Sequence, residues 1–254
     1  MSTRILWWTD IHRSPQSDLR LGCILAGIAG ATNAGGFLAV GQYTSHMSGI
    51  VSSVADNLVL GQLTLAAAGV ALVMAFLLGS MTTAWMVNWA LRREMRSAFA
   101  RPLLVEGGLL LVFGIFGTGI NRFADLLVPM TVLLLCYIMG LQNAVITKVS
   151  HAEIRTTHVT GLVTDLGIEL GKMFYFNRSP FPNKVVANRR KVRIHALLVG
   201  SFFAGALVGA YGFKTLGYLS TVPLAVVLFV ITWGPIRDDV QHGRFATGPA
   251  DRRA

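Results

Sequence analysis

Gly30-Ala31-Thr32-Asn33-Ala34, with Ser45-His46-Met47-Ser48-Gly49 beginning 12 residues after Asn33, is a pattern the chain writes twice. The second copy is Gly140-Leu141-Gln142-Asn143-Ala144, with Thr157-His158-Val159-Thr160-Gly161 beginning 14 residues after Asn143. Both read G-x-x-N-A and then [ST]-H-x-[ST]-G, and acidic residues follow each: Asp56 in the first, Asp165 and Glu169 in the second. An F-x-x-G fragment comes next in both, at Phe76 to Gly79 and Phe202 to Gly205. That fragment alone is too common to count. Two specific motifs in the same order argue for an internal duplication, a signal that bears on the whole architecture.

Apolar runs surround the motifs at 21–40, 65–89, 103–120, 126–146, 194–213 and 218–233, close to the ~20 residues that cross a bilayer as a helix. Composition agrees: the 254 residues are 53% hydrophobic and 13% charged, with mean hydropathy +0.58. A soluble domain carries about 25% charged residues, so a water-facing globule is excluded. Disorder and collagen-like repetition fail on the same numbers. The fold class is an all-α polytopic membrane protein. Segments 45–60 and 157–174 read as helical but carry too many hydroxyls, amides and charges to face lipid all round. They are either spans packed inside the bundle or half-helices that enter without crossing.

The basic residues arbitrate, because Lys and Arg gather in cytoplasmic loops. With six spans and a cytoplasmic N-terminus, 20 of the 22 Lys and Arg fall inside, and only Arg122 and Lys214 fall outside. Eight spans worsen the split to 15 inside and 7 outside. The expectation is therefore six transmembrane helices plus two re-entrant or polar half-helices. Each repeat then holds three spans. Three is odd, so the copies lie in opposite orientations, the 3+3 inverted plan of many channels and secondary transporters. Repeat 1 occupies 21–122 and repeat 2 occupies 123–236, between cytoplasmic tails at 1–20 and 237–254. The N-terminal tail has too short an apolar run for a signal peptide.

The net charge of +10 reports orientation and calls for no nucleic acid, since no basic stretch carries a nucleic-acid motif. The basic loop at 177–193, absent from the first copy, is expected on anionic lipid headgroups. Cys23 and Cys136 sit in apolar runs and read as small buried hydrophobes. No cofactor or metal is expected. No Walker A, HExxH, CxxC or GxSxG sequence occurs, so no enzyme is expected either. Ser201, Gly205 and Gly209 recur at a spacing of four and form a close-packing seam, within one bundle or between protomers of a homo-oligomer.

Function concentrates in the repeated motif. A helix starting at Ser45 or Thr157 has a hydroxyl N-cap, and its free N–H groups and dipole favour an anion or polar carbonyl. If two such ends converge near the midplane, Ser45, His46, Ser48 and Gly49 face Thr157, His158, Thr160 and Gly161 across a substrate site. Asn33 and Asn143 are candidates for binding the same solute or for hydrogen bonding between helices. His46 and His158, with Asp56, Asp165 and Glu169, are candidates for carrying a coupling proton. The structural counter-reading is equally simple: the motif caps two buried helices, and Lys172 neutralises a carboxylate on its own helix face. Glu106, five residues past Arg101, is expected near the membrane interface, and His195 opens a span beside Arg193.

These marks resemble the YoaK-like family of bacterial inner-membrane proteins over nearly the whole of 21–235. The Asn33 region, the GLQNA run at Gly140 to Ala144 and the Thr156 to Gly161 stretch carry the resemblance, the last being similar to the family's TT-x-x-TG. The first copy has Ser48-Gly49-Ile50 where the family commonly has TGN. The resemblance implies the bacterial inner membrane and the fold, and no substrate. The leading expectation is a transporter or channel for a small polar or anionic solute; the alternative is a membrane scaffold whose half-helices are structural.

Overall fold

The computed structural model describes residues 8–11, 14–119, 124–150, 154–178 and 184–242. Arg122, Pro180, Pro182 and most of the two tails lie outside the described residues. The described chain is all-helical: α1 (Pro15–Val40), α2 (Met47–Val59), α3 (Leu63–Arg92), α4 (Ala100–Gly119), α5 (Ala124–Val149), α6 (Val159–Met173), α7 (Arg189–Leu216) and α8 (Thr221–Gln241), with a 3₁₀ turn at Gly217–Ser220 before α8.

Local chemistry sets the ends. Ser14 caps α1 by accepting from the Ser17 N–H at 3.3 Å, with Pro15 at the first position and Asp18 in the first turn. These are three features that suit a helix N-terminus. Gly41 closes α1 at φ 73°, a left-handed backbone that glycine adopts without a Cβ penalty. Asn188 caps α7 by accepting from the N–H groups of Arg190 and Lys191 at 3.1 and 3.2 Å.

Among the described residues four segments are long and apolar enough to cross a membrane: Gln16–Val40, Leu63–Arg92, Leu127–Val149 and Arg189–Gln241. The last holds both α7 and α8. Their outward faces are apolar, with Trp85 on α3 and Val208 and Tyr211 on α7 about 70% exposed or more. So broad an exposed apolar surface belongs against lipid or another protein, not water.

Helices pair across the two halves of the chain. The main interfaces are α1 with α7, α3 with α5 and α4 with α8, while α2 rests on α3 and α6 on α7. Small residues make the first two interfaces close. A methyl at Gly30 would run into the Phe202 carbonyl oxygen, and one at Gly205 into that of Gly27. On the other pair, a methyl at Gly140 would meet the Phe76 carbonyl oxygen and one at Gly79 that of Tyr137. The seam expected from Ser201, Gly205 and Gly209 thus lies within one chain, on α1: Gly209 faces the Ala31 backbone. Small residues admit such backbone contact without a large polar partner. Ser80 and Thr83 add hydroxyls that donate to the Gly140 and Leu141 carbonyls at 3.0 and 2.9 Å.

One end of the bundle is tied by charge. Asp239 of α8 is fully buried and accepts from the Arg96 and Ser97 N–H groups at 3.1 and 2.8 Å. It thereby satisfies amides just before α4 that would otherwise lack partners. Arg96 reaches Asp10 at 2.6 Å, and Thr9 donates to the Ile231 carbonyl at 2.9 Å. The stretch 8–11 is therefore packed against the bundle.

Candidate functional site

Both motifs adopt the same local structure, and it differs from the expected one in one respect. α2 begins at Met47 and α6 at Val159, so the N-cap residues are His46 and His158, one residue later than Ser45 and Thr157. Neither histidine makes a side-chain capping bond. Ser45 and Thr157 are themselves bonded to the preceding helix. The Ser45 hydroxyl and N–H donate to Asn33 Oδ1 at 3.0 and 3.2 Å, and the Thr157 hydroxyl donates to Asn143 Oδ1 at 2.6 Å. An asparagine near the end of one helix thus holds the residue that introduces the next. Asn143 also donates through Nδ2 to the Met139 carbonyl at 2.7 Å.

The glycine of each motif has a steric reason. A Cβ on Gly49 would stand 2.9 Å from Nδ1 of His46, and one on Gly161 would overlap the His158 ring. Glycine lets the imidazole fold back over the first helical turn. The exposure pattern is also shared: Thr44 and Thr156 are buried, Ser45 and Thr157 half-buried, and His46, Ser48, His158 and Thr160 exposed. Each short helix therefore presents an imidazole and a hydroxyl at an end whose first amides have no side-chain partner.

Neither of the two clefts described below is lined by both motifs. α2 packs on α3 and α6 on α7, and no interface between α2 and α6 is among the packed helix pairs. A cleft of about 210 Å³ opens at the first motif, lined by Phe37, Tyr43, His46, Gly49, Ile50 and Ser53 among others. The Phe37 and Tyr43 rings stack in its wall at 4.4 Å.

The acidic candidates separate in kind. Asp56 and Asp165 are exposed. Glu169 is buried, accepts from the Asn188 N–H at 2.7 Å and pairs with Lys172 at 3.0 Å. The Asn188 N–H first, then Lys172, hold its carboxyl below the usual carboxylate range. Glu169 therefore fastens α6 to the start of α7 as a carboxylate. Among the described residues no group of three His, Cys, Asp or Glu is placed to hold a metal ion.

Two features escaped the sequence reading. A cleft of about 1220 Å³ lies at the N-terminal ends of α1 and α7, lined by Trp8, Arg20, Cys23, Ile154, Arg190 and Arg193 among others; the arginines were visible, their convergence was not. Glu106 is fully buried on α4, where Gln142 of α5 donates to its Oε1 at 2.8 Å. Its linear distance from Arg101 said nothing of the helix packed over it. His195, also buried, leaves Nδ1 without a partner.

Fold and site together define a helical protein with several apolar helices able to span a membrane and two short polar helices introduced by one repeated device. The chain belongs to the family described as "Protein of unknown function (DUF1275)", whose profile matches residues 21–234. No curated protein and no solved structure matches it.

Proposed function

We propose that this chain is an integral-membrane transporter or channel for a small polar or anionic solute, received at the N-termini of α2 and α6. One observation carries the reading: two helix starts, each held by an Asn to Ser or Thr hydrogen bond, each lacking a side-chain cap. Such ends offer free N–H groups and a positive dipole to an anion or carbonyl, with Ser48 and Thr160 as neighbouring hydroxyls and His46 and His158 as proton carriers. Asn33 and Asn143 position the receiving ends. The helices hold 13 and 15 residues, about 20 and 22 Å at 1.5 Å per residue, short of a hydrocarbon core of about 30 Å. That supports half-helices that enter without crossing.

The wider architecture in this reading is six crossings in a 3+3 inverted repeat. The glycine contacts support it: Gly27 and Gly30 stand to Tyr137 and Gly140 as Phe76 and Gly79 stand to Phe202 and Gly205, with steps of 110 and 126 residues. Both termini then lie in the cytoplasm of a bacterial inner-membrane protein. The basic loop 177–193 meets anionic headgroups, and the closer likeness to the YoaK-like proteins rests on the GLQNA and TTHVTG runs. No reaction is assigned to the chain, and a homo-oligomer would form through the exposed apolar faces.

A second reading, a membrane scaffold, is favoured by one fact: the amide oxygens of Asn33 and Asn143 are already engaged in holding the chain. Heating the purified protein with panels of small anions, sugars and amino acids separates the two. A dose-dependent rise in melting temperature that His158→Ala abolishes supports a site; no rise across the panels, with the variant as stable as the parent, supports the scaffold. A cysteine at Gln62 tests the topology independently: reaction with an impermeant outside reagent supports re-entrant helices, and protection overturns them.

A further inference from the structure

The buried pair Glu106 and Gln142 is one proton short. Both side chains have no solvent exposure. Gln142 Nε2 donates to Glu106 Oε1 at 2.8 Å, and the two remaining oxygens, Glu106 Oε2 and Gln142 Oε1, are buried with no hydrogen-bond partner. Two buried acceptors facing no donor is a costly arrangement. An ionised carboxylate can only accept, whereas a protonated carboxyl also donates one O–H. An acid and an amide then pair reciprocally, N–H to acid oxygen and O–H to amide oxygen, and a single proton removes both deficits.

We propose that Glu106 and Gln142 form a proton-binding site inside the bundle, the proton residing on Glu106 Oε2 and donated to Gln142 Oε1 across the α4–α5 interface. The inference is independent of the solute reading.

The surrounding charges leave room for a neutral acid. α4 packs against α5, α8, the 3₁₀ turn and α3. α3 carries Arg92, α5 carries Asp125, Cys136, Tyr137 and Lys148, the turn carries Tyr218, and α8 carries Arg237, Asp238 and Asp239. The nearby cations are directed elsewhere: the Arg101 guanidinium lies over the Trp89 ring at 4.6 Å, and Lys148 donates to Asn88 at 3.1 Å. Tyr137 donates to Thr82 at 2.9 Å, and Asp239 holds the N–H groups before α4. Among the described residues Glu106 has no ion pair, so nothing there compensates a buried negative charge, which is the condition under which a carboxyl keeps its proton. The amide oxygen of Gln142 matters equally, because without it the acid O–H has no acceptor.

The test uses the full chain in lipid nanodiscs at neutral pH. The infrared spectrum is expected to show a protonated-carboxyl C=O band that moves down in D2O and is lost in Glu106→Gln. That variant is expected to melt close to the parent, because its amide keeps one donor and one acceptor toward Gln142. Absence of the band, or its persistence in Glu106→Gln, overturns the proposal. Should Glu106→Gln fail to fold, Gln142→Leu carries the test: the band should move to higher frequency when the amide donor is removed, and an unmoved band overturns the pairing.

Discussion

Gly200 and Gly205 lie on one helix, five residues apart, and the α1–α7 packing assigns them opposite responses to the same added methyl. Five residues are about 7.5 Å along α7 and about 140° around it, so the two positions face different surroundings. A Cβ at Gly200 meets nothing within 4 Å, whereas one at Gly205 strikes the Gly27 carbonyl group and Cα. Backbone cannot turn aside as a side-chain end can, so Gly205→Ala must push α1 and α7 apart. Overpacking of this kind costs about 1–3 kcal/mol. Gly200→Ala carries no clash and gains up to about 1 kcal/mol from helix propensity. The two variants should then differ by about 1–4 kcal/mol, roughly 5- to 1,000-fold in the unfolding equilibrium. Denaturant unfolding in mixed micelles, followed by Trp fluorescence, measures both against the parent. Gly79→Ala, which strikes the Tyr137 carbonyl on the α3–α5 interface, should lose as much as Gly205→Ala. Equal stability of the Gly200 and Gly205 variants would refute the seam, and with it the crossing of helices between the halves.

Three further outcomes follow from individual contacts. Removing the Thr157 to Asn143 bond by Thr157→Val or Asn143→Leu should each cost about 0.5–1.5 kcal/mol. The double variant should cost less than the two losses added, and strict additivity would show that the bond contributes nothing. Asp239→Asn replaces an acceptor of two N–H groups by an amide that can accept through only one oxygen. It should lower stability by about 1.5–3 kcal/mol in the same unfolding assay; a neutral result would deny that Asp239 caps the start of α4. The Glu169 carboxyl is held down by the Asn188 N–H and Lys172, so its contribution is present above the unfolded carboxylate range, about pH 4.3, and fades as pH falls through its folded value. The melting-temperature advantage of the parent over Glu169→Gln should therefore shrink on acidification, and an advantage that is constant with pH would remove Glu169 as an anchor of α6.

The helices themselves were legible because their signals are local. The apolar runs 21–40, 65–89, 126–146 and 194–213 each lie within one helix of the structure, 103–119 lies in α4 with residue 120 outside the described residues, and 218–233 begins in the 3₁₀ turn and continues as α8. The polar segments appear as α2 and α6 with their ends moved by one or two residues. The histidine N-caps were not legible. Hydroxyls at Ser45 and Thr157 are good N-caps by type, and only the folded chain shows them bonded to Asn33 and Asn143. The glycines of both motifs were noticed as repeated letters; their purpose, room for an imidazole, is a distance that no spacing in sequence states.

Sequence by itself determined that the chain is helical, apolar enough for a membrane, and carries the G-x-x-N-A and [ST]-H-x-[ST]-G motifs twice, since hydropathy, caps and motif recurrence are properties of consecutive residues. Tertiary structure alone decided that α1 lies on α7 and α3 on α5, that Glu106 is sealed beneath α5 against Gln142, and that arginines from α1 and α7 share one cleft. Burial and charge proximity depend on partners far away in the chain, and which partner arrives is settled by where two backbones can come close.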